Sequence, residues 1–154
     1  MQYSPKVLKH FRDPQNIGQI DSPDGVGEIG NVVCGDVMKL YIKVEANAKG
    51  EEIIKDIKFE TYGCAAAIAT SSAITDLAIG KTIDYALSLN YNSVVKYLDG
   101  LPPIKIHCSL LSVDALVMAI YNYLQENKKP ISAELEKRHQ RILKKAACKN
   151  KSLF

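Results

Sequence analysis

VMKLYIKVE, residues 37–45, decides the fold. Met38, Leu40, Ile42 and Val44 alternate with Lys39, Tyr41 and Lys43, and that period of two predicts a strand with one buried face. ANAKG at 46–50 reads as a turn. From Ile53 to Tyr62 the alternation returns, with Ile57, Phe59 and Thr61 against Asp56, Lys58 and Glu60, so the two runs pair as an antiparallel hairpin.

After Gly63 the period changes. Ala65 to Ile79 is Ala-rich, too long for a typical strand, and followed by Gly80 as a C-terminal cap, which predicts a helix. Shorter helices follow in TIDYALSLN, opened by Thr82, and NSVVKYLDG, opened by Asn92 and stopped by Pro102-Pro103. Val113, Leu116, Val117, Ile120 and Leu124 mark an amphipathic helix reaching about Asn127. Pro130 breaks it, and a charged helix from about Ser132 to Ala147, anchored by Leu135, Ile142 and Leu143, lies on the outside. Upstream, Ser4 caps a short helix that begins at Pro5 and carries Val7, Leu8 and Phe11, whereas residues 14–31, rich in Gly, Pro, Asn and Asp, read as a loop or a loosely held extended segment. The expected fold is α+β: a small antiparallel β-sheet with helices packed against it, plus a C-terminal helical extension. The division is a domain over 1–127 and a basic extension over 128–154.

At 154 residues with 47% apolar and 24% charged side chains, the chain can bury one core. Nine Gly and six Pro exclude collagen-like and low-complexity classes. No apolar stretch reaches the roughly 18 residues of a membrane span, and MQYSPKVLKHFRDP has no signal pattern, so a cytoplasmic location and no membrane partner are expected. In a reducing compartment the four cysteines serve packing, thiol chemistry or metal binding rather than disulfides. Residues 1–127 carry 11 Lys and Arg against 15 Asp and Glu, whereas 128–154 carry 9 against 2. Solvation is the first reading of that basic extension, a protein partner the second and nucleic acid the last, because Phe154 is the sole aromatic among its charges.

Three cysteines stand at the ends of elements. Cys34 precedes Gly35-Asp36 at the entry to the first strand, Cys64 follows Gly63 where strand becomes helix, and Cys108 lies between Pro102-Pro103 and a helix. A thiol at a helix N-terminus meets unpaired N–H groups and the positive dipole end, which favours thiolate at Cys64 and Cys108. Each cysteine alone would equally suit a small buried hydrophobe. Their company carries more: Asp36 lies two residues after Cys34, Lys105 and His107 just before Cys108. The long gaps match no zinc finger or ribbon. His10, His139 and Cys148 read as ordinary surface or packing residues.

CGDVMKLYIKV at 34–44, FETYGCAAAIATSSA at 59–73, GKTIDYAL at 80–87 and LPPIKIHCSLLSVDAL at 101–116 together resemble the IscU-type iron–sulfur cluster scaffold family, which includes the N-terminal domain of NifU. The likeness runs from residue 1 to about 127. Asn31-Val32-Val33 and Thr70-Ser71-Ser72 depart from the family's usual residues without touching a ligand position.

The resemblance implies a scaffold, not a turnover enzyme, that assembles [2Fe-2S] clusters and passes them to acceptor apo-proteins. Cys34, Cys64 and Cys108 would be the cluster cysteines, with Asp36 and His107 both open as the fourth ligand. An imidazole or carboxylate suits iron–sulfur chemistry less well than thiolate, which fits cargo that must be released. Cys108 would accept persulfide sulfur from a cysteine desulfurase of the IscS/NifS type as iron is bound, with Lys105 either supporting its thiolate or simply facing solvent. His107 and Cys108 would point apart in a strand, so they share a metal only from a turn or helix start. Leu101, Pro102, Pro103, Ile104 and Lys105 resemble the segment grasped by an Hsp70-type chaperone. A homodimer that bridges the cluster and a single-subunit site both stay open.

Three rival readings stand beside this one. A zinc-dependent persulfide shuttle would hold Zn2+ through Cys34, Asp36, Cys64 and Cys108, an acceptable tetrahedral set. A thiol enzyme would use His107 as base and Cys108 as nucleophile, against which their adjacency counts. An interaction module would keep the cysteines for packing alone.

Overall fold

The computed structural model describes residues 2–31 and 36–151, with backbone alone at 31 and at 146–151. The hairpin stands: β2 (Asp36–Ala46) pairs antiparallel with β3 (Glu52–Tyr62) around the turn at 47–51, with a register shift between Lys43 and Val44. A third strand, β1 (Gly25–Asn31), pairs with the other edge of β2, giving the order β1-β2-β3. The sequence reading allows a loop or a loosely held extended segment here but not a paired strand, and the reason for the difference is its glycines. A helix backbone presses directly on β1. A Cβ at Gly25 would run into the Ala119 carbonyl, and one at Gly27 into the Ala115 carbonyl while standing 2.6 Å from the Ala119 nitrogen. The residues that make β1 look like a turn are what let it lie under a helix.

α1 (Pro5–Arg12) starts as expected, with Ser4 accepting from the Val7 N–H at 3.1 Å. α2 (Ala65–Ala78), opened by Cys64, is the Ala-rich helix, and Gly80 follows it with φ +75°. α3 (Ile83–Ser88) is capped by Thr82. α4 (Tyr91–Tyr97) is capped by Asn90 rather than Asn92, through a reciprocal bond pair with Ser93. A 3-10 turn at Pro103–Lys105 feeds α5 (Ile106–Glu126), which begins seven residues before the first apolar marker read from the sequence, Val113. α6 (Ala133–Lys151) closes the chain.

Met38, Leu40, Ile42, Ile57 and Phe59 form the inner sheet face, all 0–1% exposed, and α2 and α5 cover it. Burying one such side chain fully contributes about 1.5–3 kcal/mol. By length and composition Pro103–Glu126 would suffice to cross a membrane, contrary to the sequence reading. Its apolar residues Val113, Leu116, Val117 and Ile120 are instead buried in the core of this domain. α6 packs on α5 and β1 through Leu135 and Ile142, but Leu143, expected as a third anchor, is 43% exposed. His10 and His139 are both packing residues: His10 Nδ1 meets Ser72 Oγ at 2.8 Å, and His139 stacks on Tyr121 with centroids 3.6 Å apart.

Gly27→Ala should cost about 1–3 kcal/mol, because the added methyl meets helix backbone that cannot step aside. Gly30→Ala, where the nearest atom is Val37 Cγ2 at 3.9 Å, should stay within about 0.5 kcal/mol. Urea unfolding of the two variants against the parent checks the difference.

Candidate metal centre

Cys34 and Gly35 lie outside the described residues. The other singled-out residues come together at one end of the sheet. Asp36, the first residue of β2, is 4% exposed. Cys64 is the N-cap of α2, half-buried, in extended backbone and without a side-chain capping bond. His107 and Cys108 occupy the second and third positions of α5, so the helix start needed for the two to share a metal is present. Ile-His-Cys-Ser has no apolar period of its own, which is why the sequence placed the helix start too late.

The Cys108 sulfur lies 3.8 Å from Asp36 Oδ2 and 3.5 Å from His107 Nε2. One donor atom from each of Asp36, His107 and Cys108 lies within 4.8 Å of the others: an oxygen, a nitrogen and a sulfur around a common point. Two backbone features hold them there. Thr70 Oγ1 on α2, whose proton goes to the Ala66 carbonyl at 2.8 Å, stands 3.3 Å from the Cys108 carbonyl and so brings the first turn of α5 against the neighbouring helix. Gly63 lets Asp36 in, since a Cβ at that position would stand 2.7 Å from Asp36 Oδ1 and 2.8 Å from the Ala67 methyl. Neither Thr70 nor Gly63 was singled out from sequence. The Gly-Cys pair was visible, but its partner is 27 residues upstream.

Lys105 stands against Cys64 rather than Cys108, with Nζ 3.7 Å from the Cys64 sulfur. Cys64 is also the leading cause of the rise in the Lys105 pKa. At Cys108 burial dominates, with Cys64 and Asp36 adding to it, and the thiol is pushed far above its ordinary range. The helix-dipole expectation of a ready thiolate therefore fails at Cys108. At 1% exposure, desolvation of the anion outweighs the dipole.

A donor set of thiols, an imidazole and a carboxylate suits zinc or iron, and an all-oxygen site for calcium or magnesium is excluded by the sulfur. The NifU-like N terminal domain model matches residues 2–130. This chain belongs to that family. An iron–sulfur cluster assembly scaffold protein IscU of Archaeoglobus fulgidus is 54% identical over 127 residues, 82% of this chain and 80% of that protein. The IscU scaffold protein of Escherichia coli K12 is 46% identical over 126 residues, covering 80% of this chain and 94% of its own. Among solved structures, an iron–sulfur cluster assembly scaffold for the SUF system from Fervidobacterium islandicum aligns with TM-score 0.60 and 25% identity over 77% of this chain and 96% of that one. A NifU-like N-terminal protein from Brucella abortus, at 21% identity over 80% of this chain and 94% of that one, shares the fold with TM-score 0.63. The α+β family fold inferred from the motifs is the one observed.

The raised thiol of Cys108 makes stability depend on pH with a definite sign. The folded chain keeps that proton where the unfolded chain has released it, so stability is full below about pH 8.5 and falls as pH rises above it. Between pH 8.5 and 9.5 the metal-free protein should lose about 1 kcal/mol. Denaturant midpoints across that interval should show this slope, and Cys108→Ala should flatten it.

Proposed function

We propose that the chain is a scaffold for de novo assembly of [2Fe-2S] clusters, taking sulfur from a cysteine desulfurase, binding iron, and passing the cluster to acceptor proteins. The convergence of Asp36, His107 and Cys108 within 4.8 Å, beside Cys64, is the observation that carries the reading. Family membership and relatives named as assembly scaffolds support it. The cluster is cargo here, and the protein acts as a platform rather than a turnover enzyme. Cys34 supplies a further thiolate, and either Asp36 or His107 takes the fourth position.

In the sulfur step the Cys108 thiolate attacks the terminal sulfur of the desulfurase persulfide. The donor cysteine leaves as thiolate and Cys108 carries the persulfide. Its reduction to sulfide takes two electrons from a thiol or electron-transfer protein. Burial of Cys108 implies that the first turn of α5 must open for this contact. Lys105 assists from beside Cys64. Ile104, 70% exposed after Pro102-Pro103, suits capture of Leu101–Lys105 by an Hsp70-type chaperone. Residues 1–127 form the working domain and 128–154 its extension, in a cytoplasmic setting.

The mixed oxygen, nitrogen and sulfur set also favours a second reading, a Zn2+-dependent persulfide acceptor on the same fold. Anaerobic reconstitution with Fe2+, cysteine and a cysteine desulfurase separates the two. The scaffold reading expects visible cluster absorption with matched iron and acid-labile sulfide, lost in Cys108→Ser and longer-lived in Asp36→Ala. Retained zinc with persulfide on Cys108 and no cluster would favour the shuttle. Neither product would reject both.

A further inference from the structure

At the opposite end of α5 from the metal centre, α3 and the start of α6 enclose a groove of about 480 Å³ with a continuation of about 330 Å³, the two sharing Asp84, Leu87, Ser132 and Leu135. Its floor is apolar, formed by Ile83, Leu87, Leu124 and Leu135. Glu51, Asp84 and Glu134, all exposed, stand on its rim. Its two cations are engaged within the chain: Lys129 pairs with Glu52, and Arg138 donates to the Leu87 carbonyl at 2.7 Å. An apolar trough with an acidic rim fits a short segment that combines lysine with large apolar residues. This chain carries one in KNKSLF, residues 149–154.

We propose that this groove receives residues 149–154 of a second copy of the chain. A chain cannot fill its own groove with this segment. α6 is helical from Ala133 to Lys151, so at about 1.5 Å per residue Lys151 lies about 24 Å along the axis from Leu135. The three residues beyond it span at most about 11 Å. A second copy running antiparallel has no such limit. Leu143, the one large apolar side chain on α6 that is exposed among the described residues, lies midway in sequence between Ser132 at the groove and Phe154. Two antiparallel α6 helices that cross at Leu143 bring Lys151 of each, eight residues past the crossing, level with Leu135 of the other, eight residues before it, and the exchange closes as a two-fold dimer. The charges agree, since residues 1–127 carry an excess of carboxylates and 128–154 an excess of cations. None of this depends on the cluster reading.

Sedimentation equilibrium on metal-free protein under reducing conditions tests the exchange, with a cluster-bridged dimer and a Cys148 disulfide both removed as causes. The intact chain should show twice the 17.0 kDa mass. A chain lacking residues 149–154 and the groove variant Asp84→Lys/Glu134→Lys should each dimerise at least about tenfold more weakly. Mixing those two should recover association, because one supplies an unaltered groove and the other an unaltered segment. A monomeric intact chain, a truncated chain that dimerises as tightly as the parent, or a mixture no tighter than its components would overturn the proposal.

Discussion

The metal centre depends on two helix N-termini, those of α2 and α5, converging on the first residue of β2. α2 brings backbone N–H groups that the helix itself leaves unpartnered, α5 continues from the 3-10 turn with its Ile106 N–H donating to the Pro103 carbonyl, and each adds the positive end of its dipole. Negative charge is favoured at that point, yet burial keeps the Cys108 thiol protonated and Asp36 lies 3.8 Å from its sulfur. A divalent cation held by these residues would take the place of the thiol proton, so that metal uptake and proton release would be one equilibrium. The same burial that withholds Cys108 from solvent makes its thiolate depend on a metal or on local opening.

Holding the helices in that position takes close backbone packing elsewhere. α5 runs from the metal centre along β1 and β2, and it can lie flat on β1 only because Gly25 and Gly27 carry no side chain. Thr70, in contact with the Cys108 carbonyl at 3.3 Å, marks where the first turn of α5 meets α2. The glycines set the depth of the helix on the sheet. The site is thus built from ordinary core packing, with the reactive groups confined to the ends of elements.

That division explains what the sequence disclosed. β2 and β3 were legible because the period of two at Met38, Leu40 and Ile42 reports a buried face directly. α2 was legible because Ala65 to Ala78 is too long for a strand and Gly80 follows it. β1 was not, since Gly25 and Gly27 are determined by α5, a partner about ninety residues away. The start of α5 was missed for a related reason, as His107 and Cys108 face the centre instead of extending an apolar stripe. At the site the motifs named Asp36, His107 and Cys108, which the fold brings within 4.8 Å. They did not disclose that Lys105 faces Cys64, that burial overrides the dipole at Cys108, or that Gly63 admits Asp36.

The mixed donor set bears on release as much as on binding. Thiolate is the donor that iron–sulfur chemistry favours, so each oxygen or nitrogen ligand holds such cargo less firmly than a sulfur in its place would. Asp36 lies at the strand start while His107 and Cys108 share the first turn of α5, so a shift of that turn moves both helix donors together relative to Asp36. Ile104 before that turn is 70% exposed, whereas Cys108 and Ser109 within it are buried. The body of α5, packed on β1, therefore fixes the address of the site, and its first turn carries the two donors whose placement against Asp36 sets the geometry.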